Sequence, residues 1–351
     1  MIRRAYMLLA VLPATWWLSC DNTLDINGNY REAVVVYGLL DHGTDTQYIR
    51  IQKSFLGDNT SALDLAGQAG QNYYLPDELS AFLWRWKNGI RMDSIPLEYV
   101  NGDTLGIEKP EGTFASTPNI LYRTTATIDT LSEYQLMVIH HTKGDTITAT
   151  ARIVWSYYVY YPTRPDVYID FADTGRITFT CKQAVNARLY DLDLIFRYAE
   201  KNIFTGDSTI HAVAWNVFSN KSGTNTEGYS NIAYSMERYS FFTFLAATLE
   251  PDTQVIRYSI DLKFDWYAGG TELYNQYLNM LANLGINQDY ISPEYTNVEG
   301  GIGIFSSRHK ESAGNIRLSD ATLDSLACGI ITRQLGFVSA PSNPDYPGCG
   351  F

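Results

Sequence analysis

Histidine, cysteine and carboxylate side chains are the groups of this chain that could carry out catalysis or bind a metal. The 351 residues include five His and four Cys, and no HExxH, CxxC or GxSxG pattern occurs among them. His140 and His141 are adjacent on a predicted strand. Their side chains should therefore point to opposite faces, one packed and one solvated, and not share a metal ion. The sequence predicts no catalytic residue, no metal site and no bound cofactor.

A glycine-rich stretch, NVEGGIGIFSSR, could be mistaken for a dinucleotide-binding loop. Gly300, Gly301 and Gly303 are present, but Ser306 stands where the third glycine of that pattern belongs. We therefore interpret the stretch as a tight, closely packed turn that leads into a strand.

The first 19 residues are typical of an export signal. Arg3 and Arg4 precede an apolar segment of about 14 residues, which is shorter than the roughly 20 residues that a membrane-spanning helix needs. A basic start, a short apolar segment and a small residue before the cleavage point are the marks of such a signal, which the mature protein lacks. We therefore expect residues 1–19 to be a signal peptide.

Cys20 follows this segment and could carry a lipid anchor. Ser19 and Cys20 resemble the lipobox of bacterial lipoproteins, although Trp17 stands where those proteins usually have Leu. The resemblance implies cleavage before the cysteine and acylation of its thiol, and two or more acyl chains hold a protein stably at a membrane. We expect lipidation at Cys20 and a linker over residues 20–31. The alternative is a secretory signal with a cysteine near its cleavage site by chance.

The other three cysteines divide into a predicted pair and a single thiol. Cys328 and Cys349 flank a tail rich in Pro and Gly. A bond between them would close a loop of about 20 residues and stabilise the fold by about 3 kcal/mol in the chain-entropy model. Cys181 shares a predicted strand face with Ile177 and Phe179, so we expect a buried free thiol.

Groups of aromatic residues suggest ligand binding. The chain contains 26 Tyr and 7 Trp, and Trp84, Trp86 and Trp266 could form stacking platforms for sugars. Tyr and Trp are also preferred strand residues that fill cores while keeping a polar group accessible. The pattern favours this structural role over a ligand platform, and an exposed protein-binding patch is a third alternative.

The overall charge excludes one class of partner. The chain has 26 Lys and Arg against 38 Asp and Glu, a formal charge of −12, which becomes −14 when the two arginines of the signal are removed. Binding to a nucleic-acid backbone depends on clustered basic residues. We therefore expect no nucleic-acid partner.

Residues 32–155 form a series of predicted short strands. Runs of β-branched and aromatic residues alternate with connections that are rich in turn-forming residues. Asn88–Gly89 is a strong signal for a tight hairpin. Six or more such strands predict an N-terminal antiparallel β-sandwich of the immunoglobulin or transthyretin kind.

Residues 166–351 combine strands with two or three helices and are predicted to be a second, mixed β domain with many strands. Pro162 and Pro165 stiffen the segment that separates it from the first domain. No β-α-β alternation is sustained, so we expect no parallel sheet. The predicted fold class is mainly β, a β-rich α+β arrangement. The predicted helices are NIAYSMERYSFFTFLAATLEPD, GTELYNQYLNMLANLGI and SDATLDSLACG.

Several stretches together resemble a known family. The lipoprotein start is followed by VVVYGLLDHGTDTQYIRIQKSFLG, and later by YSIDLKFDWYAGGTELYNQYL and YTNVEGGIGIFSSR. The set is similar to an uncharacterised family of Bacteroidota outer-membrane lipoproteins, domain-of-unknown-function family 4249. Members are often encoded beside TonB-dependent receptors, the barrels that import nutrients, so the resemblance implies an accessory role in capture or docking.

These observations predict a lipid-anchored accessory or binding protein of the outer membrane that has no catalytic activity. Its partners would be the membrane, through acylated Cys20, and a TonB-dependent receptor. A surface glycan-binding lipoprotein that uses its aromatic side chains is the first alternative. A hydrolase with a non-standard site is the second. The sequence does not distinguish between the periplasmic and the cell-surface face of the outer membrane as the location of the folded part.

Overall fold

The computed structural model describes residues 32–54, 66–68, 72–112, 115–163, 168–284 and 294–340. The predicted signal peptide, Cys20 and the linker lie outside these residues. The described part is mostly strand, with three α-helices, which confirms the predicted β-rich α+β fold class.

The described strands fall into two lobes that share the last strand. They are β1 (Val34–Leu40), β2 (Gln47–Lys53), β3 (Leu79–Lys87), β4 (Ile90–Pro96), β5 (Glu98–Asn101), β6 (Ile120–Thr124), β7 (Glu133–His140), β8 (Thr146–Arg152), β9 (Val159–Tyr161), β10 (Tyr168–Ile169), β11 (Arg176–Lys182), β12 (Ala187–Asn202), β13 (Ser208–Ser222), β14 (Asn231–Glu237), β15 (Val255–Gly270), β16 (Val298–Glu299) and β17 (Ile302–Leu318). The helices are α1 (Ser240–Thr248), α2 (Thr271–Asn283) and α3 (Asp320–Cys328), with short 3-10 turns at Gly102–Leu105 and Arg333–Leu335.

The N-terminal lobe consists of two packed layers. Strands β1, β2, β6 and β5 form one layer, and β16, β8, β7, β3 and β4 form the other. Alternate residues of each strand point inwards, so Val36 and Ile49 of the first layer share a hydrophobic cluster with Leu83 and Leu136 of the second.

A two-residue turn joins β3 to β4, as the sequence predicts. Asn88 and Gly89 both have positive φ, 52° and 75°. Paired positive φ values match the right-handed twist of the flanking strands, which is why Asn-Gly is favoured there.

The C-terminal lobe is built on longer strands. Strands β13, β12, β15 and β17 lie side by side, and a second sheet contains β14, β11 and β9. Their shared cluster includes Phe179 and Phe264 from the two sheets, together with Phe241 of α1 and Leu326 of α3. The helices therefore complete this core.

Strand β17 connects the two lobes. Its residues Ile302–Ser307 pair in parallel with β1, and its later part pairs antiparallel with β15. One nine-stranded sheet, counted over the described residues, thus runs through both lobes. No β-α-β parallel sheet was expected, and the described sheet is mixed: β1 and β10 pair in parallel with β17, and its other described pairs are antiparallel. The pair β1–β17 forms through a long return of the chain rather than through a β-α-β unit.

The hydrophobic clusters separate near residue 154, close to the predicted domain boundary. Val298 and Phe305 nevertheless belong to the N-terminal cluster, and the described residues fall within one compact unit. The division into domains at 32–155 and 166–351 stays a prediction.

Gly303 permits the parallel contact between β17 and β1. Its φ is 112°, and a Cβ at this position would lie 2.0 Å from the carbonyl oxygen of Val36. No other residue fits without movement of the backbone. The interpretation of this stretch as a closely packed entry into a strand is confirmed.

The predicted helix that starts at Asn231 was wrong in its first part. Asn231–Glu237 is strand β14, which pairs with β11, and the helix begins only at Ser240. Ile232 and Met236 are buried in the lobe core, and pairing with β11 overrides the local helical pattern. The predicted third helix is confirmed, with Ser319 as its N-cap.

Candidate functional site

Two of the three predicted platform tryptophans lie on one exposed face. Trp84 and Trp86 are half-buried on the outer side of β3, where Phe82 also lies. The Arg91 guanidinium stands over the Trp84 ring, 4.6 Å from its centroid. An open groove of about 510 Å³ runs along this face. The face combines stacking surfaces with polar groups.

Trp266 does not belong to this face, and its prediction as a platform residue was wrong. Its side chain is fully buried and lies edge-on to Phe218, with ring centroids 5.7 Å apart. Along β15 the side chains of Leu262, Phe264 and Trp266 all point into the C-terminal core. The alternation in sequence groups Trp266 with Leu262 and Phe264 on one apolar face, and the packing of the C-terminal lobe confirms that this face is inside.

The cysteines follow the predictions as far as the described residues reach. Cys181 is a buried free thiol, and burial raises its pKa to about 12. Cys328 is in a disulfide bond. Its predicted partner, Cys349, lies outside the described residues, as does Cys20, so the pairing and the lipidation stay predictions.

A cleft under helix α2 is large enough for a small molecule. Its volume is about 710 Å³, within the range typical of ligand sites. Helix α2 lies across the face of the nine-stranded sheet opposite the C-terminal core and contacts β12, β13, β15 and β17. None of its residues is fully buried. The residues that line the cleft are Leu189, Asp191, Asn220, Leu273, Gln276, Tyr277, Asn279, Met280, Asn283, Leu284 and Glu294.

Both ends of α2 are held in place. At its start, the Ser306 hydroxyl donates a hydrogen bond to the Glu272 carboxylate (2.9 Å). A Cβ on Gly270 would lie 2.7 Å from the Ser306 oxygen, so the glycine allows the close approach. In its middle, the Asn275 amide donates to the Tyr295 hydroxyl (3.2 Å). Nearer its end, the Asn279 side-chain oxygen accepts the Tyr295 backbone N–H (3.3 Å). The helix therefore spans the cleft as a fixed bridge.

Asp191 is the central polar group of the cleft. Its carboxylate is half-buried and accepts a hydrogen bond from the Asn220 backbone N–H (2.6 Å). Burial, with a contribution from the charge of Asp193, raises the pKa of Asp191 above its usual 3.8. A carboxylate with a perturbed pKa in a concave site is a mark of functional sites.

The sequence pattern around Asp191 does not mark it as a site residue. In the stretch ARLYDLDLIF, Asp191 and Asp193 alternate with apolar residues, which is the ordinary pattern of a solvated strand face. The helical spacing of Leu273, Tyr277 and Leu284 was visible. What the sequence does not show is that this helix stands over the acidic face of β12 and leaves a cleft between them.

A second polar cluster lies where the lobes meet. His309 of β17 contacts Asp41 through Nδ1 (3.0 Å) and Glu311 through Nε2 (3.1 Å). The His42 ring stacks on His309, with centroids 4.0 Å apart, and the Ser156 oxygen is 3.5 Å from His309 Nε2.

The succession of Asp41, His309 and Ser156 resembles a nucleophilic triad, but its protonation state is wrong for one. Burial would lower the pKa of His309; hydrogen bonds to Asp41 and Glu311 outweigh it and raise the pKa to about 9. An imidazolium cannot accept a proton from a serine hydroxyl. The cluster instead holds β1, β17 and the β8–β9 connection together.

Ser307 and Lys310 have the Ser-x-x-Lys spacing of some acyl-transfer enzymes. They lie three positions apart on an extended strand, so their side chains project to opposite faces. The Ser307 hydroxyl is buried and donates to the Arg152 carbonyl (2.6 Å). The spacing has a structural role here.

The described residues were also compared with the requirements of a metal site and of a membrane-spanning helix, and with the predicted orientation of His140 and His141. No group of three or more His, Cys, Asp and Glu side chains there is arranged to hold a metal ion. In the same part of the chain, no helix is both long and apolar enough to cross a bilayer. His140 is buried and His141 is exposed, which confirms that the two side chains point in opposite directions.

Comparison with known proteins gives little. No family model matches the chain, and no curated protein matches it. Among solved structures, a cytokine receptor complex is 10% identical and is matched over 80% of this chain and 96% of its own, with a TM-score of 0.19. The C-terminal globular domain of an oligosaccharyltransferase from Pyrococcus abyssi is 10% identical over 82% of this chain and 49% of its own, with a TM-score of 0.20. Trypsin-activated alpha-2-macroglobulin from Escherichia coli is 11% identical over 83% of this chain and 16% of its own, with a TM-score of 0.17. Likeness at this level carries no argument about function.

Proposed function

We propose that this protein is a lipid-anchored binding protein of the outer membrane that captures a small ligand in the cleft under α2 and acts as an accessory to a TonB-dependent receptor. Acylated Cys20 would anchor it to the membrane. The protein would have no catalytic activity. The cleft is the observation that carries the capture role. The anchor and the receptor rest on the resemblance of the sequence to outer-membrane lipoproteins.

The construction of the cleft favours binding over chemistry. Apolar side chains such as Leu189, Tyr277 and Met280 provide most of its walls, and Asp191 supplies an orienting polar group. The described lining residues contain no Ser, Thr, Cys, His or Lys, so nucleophile–base pairs of the Ser–His or Cys–His kind are absent from them. A site of this composition suits capture and release.

The anchor and the partner can be tested in the native membrane. A Cys20→Ala variant should leave the membrane fraction and appear in the soluble fraction, because acylation is lost. Retention of this variant in membranes would contradict the anchor. A Cys181→Ala variant is the matched control, since it removes a thiol that the structure buries.

The receptor partnership is tested by a mild-detergent pull-down of the tagged mature lipoprotein, with mass spectrometry of the copurified bands. A TonB-dependent barrel in stoichiometric amount supports the accessory role. Recovery of the lipoprotein alone would contradict it.

A glycan-binding role is the second candidate, and the Trp84–Trp86 face favours it. Two half-exposed rings on one strand, with Arg91 stacked on the first, resemble the surfaces on which sugar rings pack. Retardation in polysaccharide affinity gels that is lost in Trp84→Ala and Trp86→Ala would support it. Tyr229→Ala, on an aromatic side chain that is 85% exposed elsewhere, should have no effect.

A further inference from the structure

We infer that the cleft under α2 selects organic cations: small molecules that join an apolar or aromatic body to an ammonium or similar group. The inference rests on the proposed capture role of this cleft and names its ligand class. Asp191 would bind the cationic group, and the α2 side chains would cover the apolar body.

The geometry leaves one oxygen of Asp191 available. Oδ1 accepts the Asn220 backbone N–H (2.6 Å), which fixes the orientation of the carboxylate. Among the described residues, Oδ2 has no hydrogen-bond donor, and Asp191 takes part in no ion pair. An ammonium group that entered the cleft would therefore meet a positioned, unoccupied acceptor.

The described charged residues that line the cleft are all acidic. Its described lining includes the carboxylates of Asp191 and Glu294 and no Lys, Arg or His. Asp193 lies two residues from Asp191 on the same strand face and accepts a hydrogen bond from the Asn216 amide (2.8 Å). An anionic ligand would be repelled here, and a neutral ligand would leave the Asp191 carboxylate without its counter-charge.

A cation beside the cleft shows how α2 binds such groups. The Arg188 guanidinium lies over the Tyr274 ring of α2, 4.4 Å from its centroid, and Nε donates to the Gly223 carbonyl (3.2 Å). It is thus engaged beside the cleft and is not among the residues that line it. Tyr277, one turn further along the same helix, lines the cleft and offers a ligand cation or its aromatic body a similar ring.

The inference can be tested with three indole compounds. They share a two-carbon side chain and differ in its terminal group, which is cationic, neutral or anionic. Equilibrium dialysis would measure tryptamine (cationic), tryptophol (neutral) and indole-3-propionate (anionic) against the full mature lipoprotein in a non-ionic detergent. We expect tryptamine to bind about tenfold more tightly than tryptophol, equivalent to about 1.4 kcal/mol, and indole-3-propionate to bind more weakly than either. Equal affinities for tryptamine and tryptophol would overturn the inference.

Two variants assign the effect to the cleft. Asp191→Asn keeps an oxygen for the Asn220 N–H and should reduce the tryptamine affinity to that of tryptophol. Asp207→Asn removes the same charge from the exposed β12–β13 turn and should leave the preference intact. If the two variants behave alike, general acidity and not Asp191 attracts the cation, and the inference fails.

Met280→Trp separates this inference from the proposed function. Met280 is 48% exposed on the cleft side of α2, so a larger side chain should fill the cleft without disturbing the core. If all three compounds bind alike and Met280→Trp abolishes binding, the cleft captures small molecules but does not select cations. If tryptamine binding survives Met280→Trp, the cleft is not its site, and the inference is refuted. Neither result changes the outcome of the pull-down.

Discussion

The charged state of His309 should make the stability of this protein depend on pH in a specific window. The imidazole is nearly buried, with 8% of its side chain exposed, and each nitrogen faces a carboxylate, Asp41 at 3.0 Å and Glu311 at 3.1 Å. These partners outweigh the effect of burial and raise the pKa from 6.5 to about 9. Since one pKa unit corresponds to 1.36 kcal/mol, the protonated form contributes about 3 kcal/mol to the free energy of unfolding.

The sign follows from the direction of the shift. Below the unfolded-state pKa of 6.5, the histidine is protonated in both states and the contribution is complete. As the pH rises from 6.5 to about 9, the unfolded chain loses its proton while the folded chain keeps it, so the contribution decreases and is then lost. Asp41 affects the stability at low pH instead. Burial would raise its pKa, but hydrogen bonds from His309 and Gly43 lower it below 3.8, so its contribution is lost only on strong acidification.

Urea unfolding of the wild type and of His309→Gln over this pH range measures the effect. The variant should be less stable at low pH, and the difference between the two proteins should narrow as the pH passes from 6.5 to about 9. His141→Gln is the control, because His141 is exposed and its change should leave the pH dependence unaltered. A constant difference across the range, or an NMR titration that gives His309 its ordinary pKa of 6.5, would show that Asp41 and Glu311 do not stabilise the protonated imidazole.

Three further predictions test the fold. Gly303→Ala should lower the free energy of unfolding, measured by urea denaturation, by about 3 kcal/mol. The φ of 112° is strained for alanine, and the added Cβ would meet the Val36 carbonyl. A neutral effect would contradict the parallel contact between β17 and β1. Trp266→Ala should cost about 4 kcal/mol in the same assay because it empties a fully buried site, whereas Trp84→Ala should cost about 1 kcal/mol or less at its half-exposed site. Equal losses would place Trp266 outside the core. Cys181 should react with a thiol reagent only after unfolding, because it is buried and its pKa is raised to about 12. Rapid modification of the folded protein would show that the thiol is accessible.

Local patterns in the sequence determine much of this structure. Asn88–Gly89 specifies its hairpin because both positions need positive φ. Ser319 specifies the start of α3 because its side chain accepts the Thr322 N–H. The burial of Cys181 follows from a two-residue alternation. In each case the decisive interaction is between residues close in the chain, so it can be read from the sequence.

Long-range pairing decides the rest. The parallel contact between β1 and β17 joins residues more than 260 positions apart, for example Val35 with Ile302, and no local pattern encodes it. The packing of the C-terminal core buries Trp266, while Trp84 stays half-exposed on β3. Contacts of α2 with β12 and its neighbours place the helix beside Asp191. Trp84 and Trp266 look alike in the sequence, and Asp191 resembles any solvated strand residue. They acquire different roles because the free energy of a side chain depends on which sheets and helices pack around it. Only the tertiary structure determines that packing.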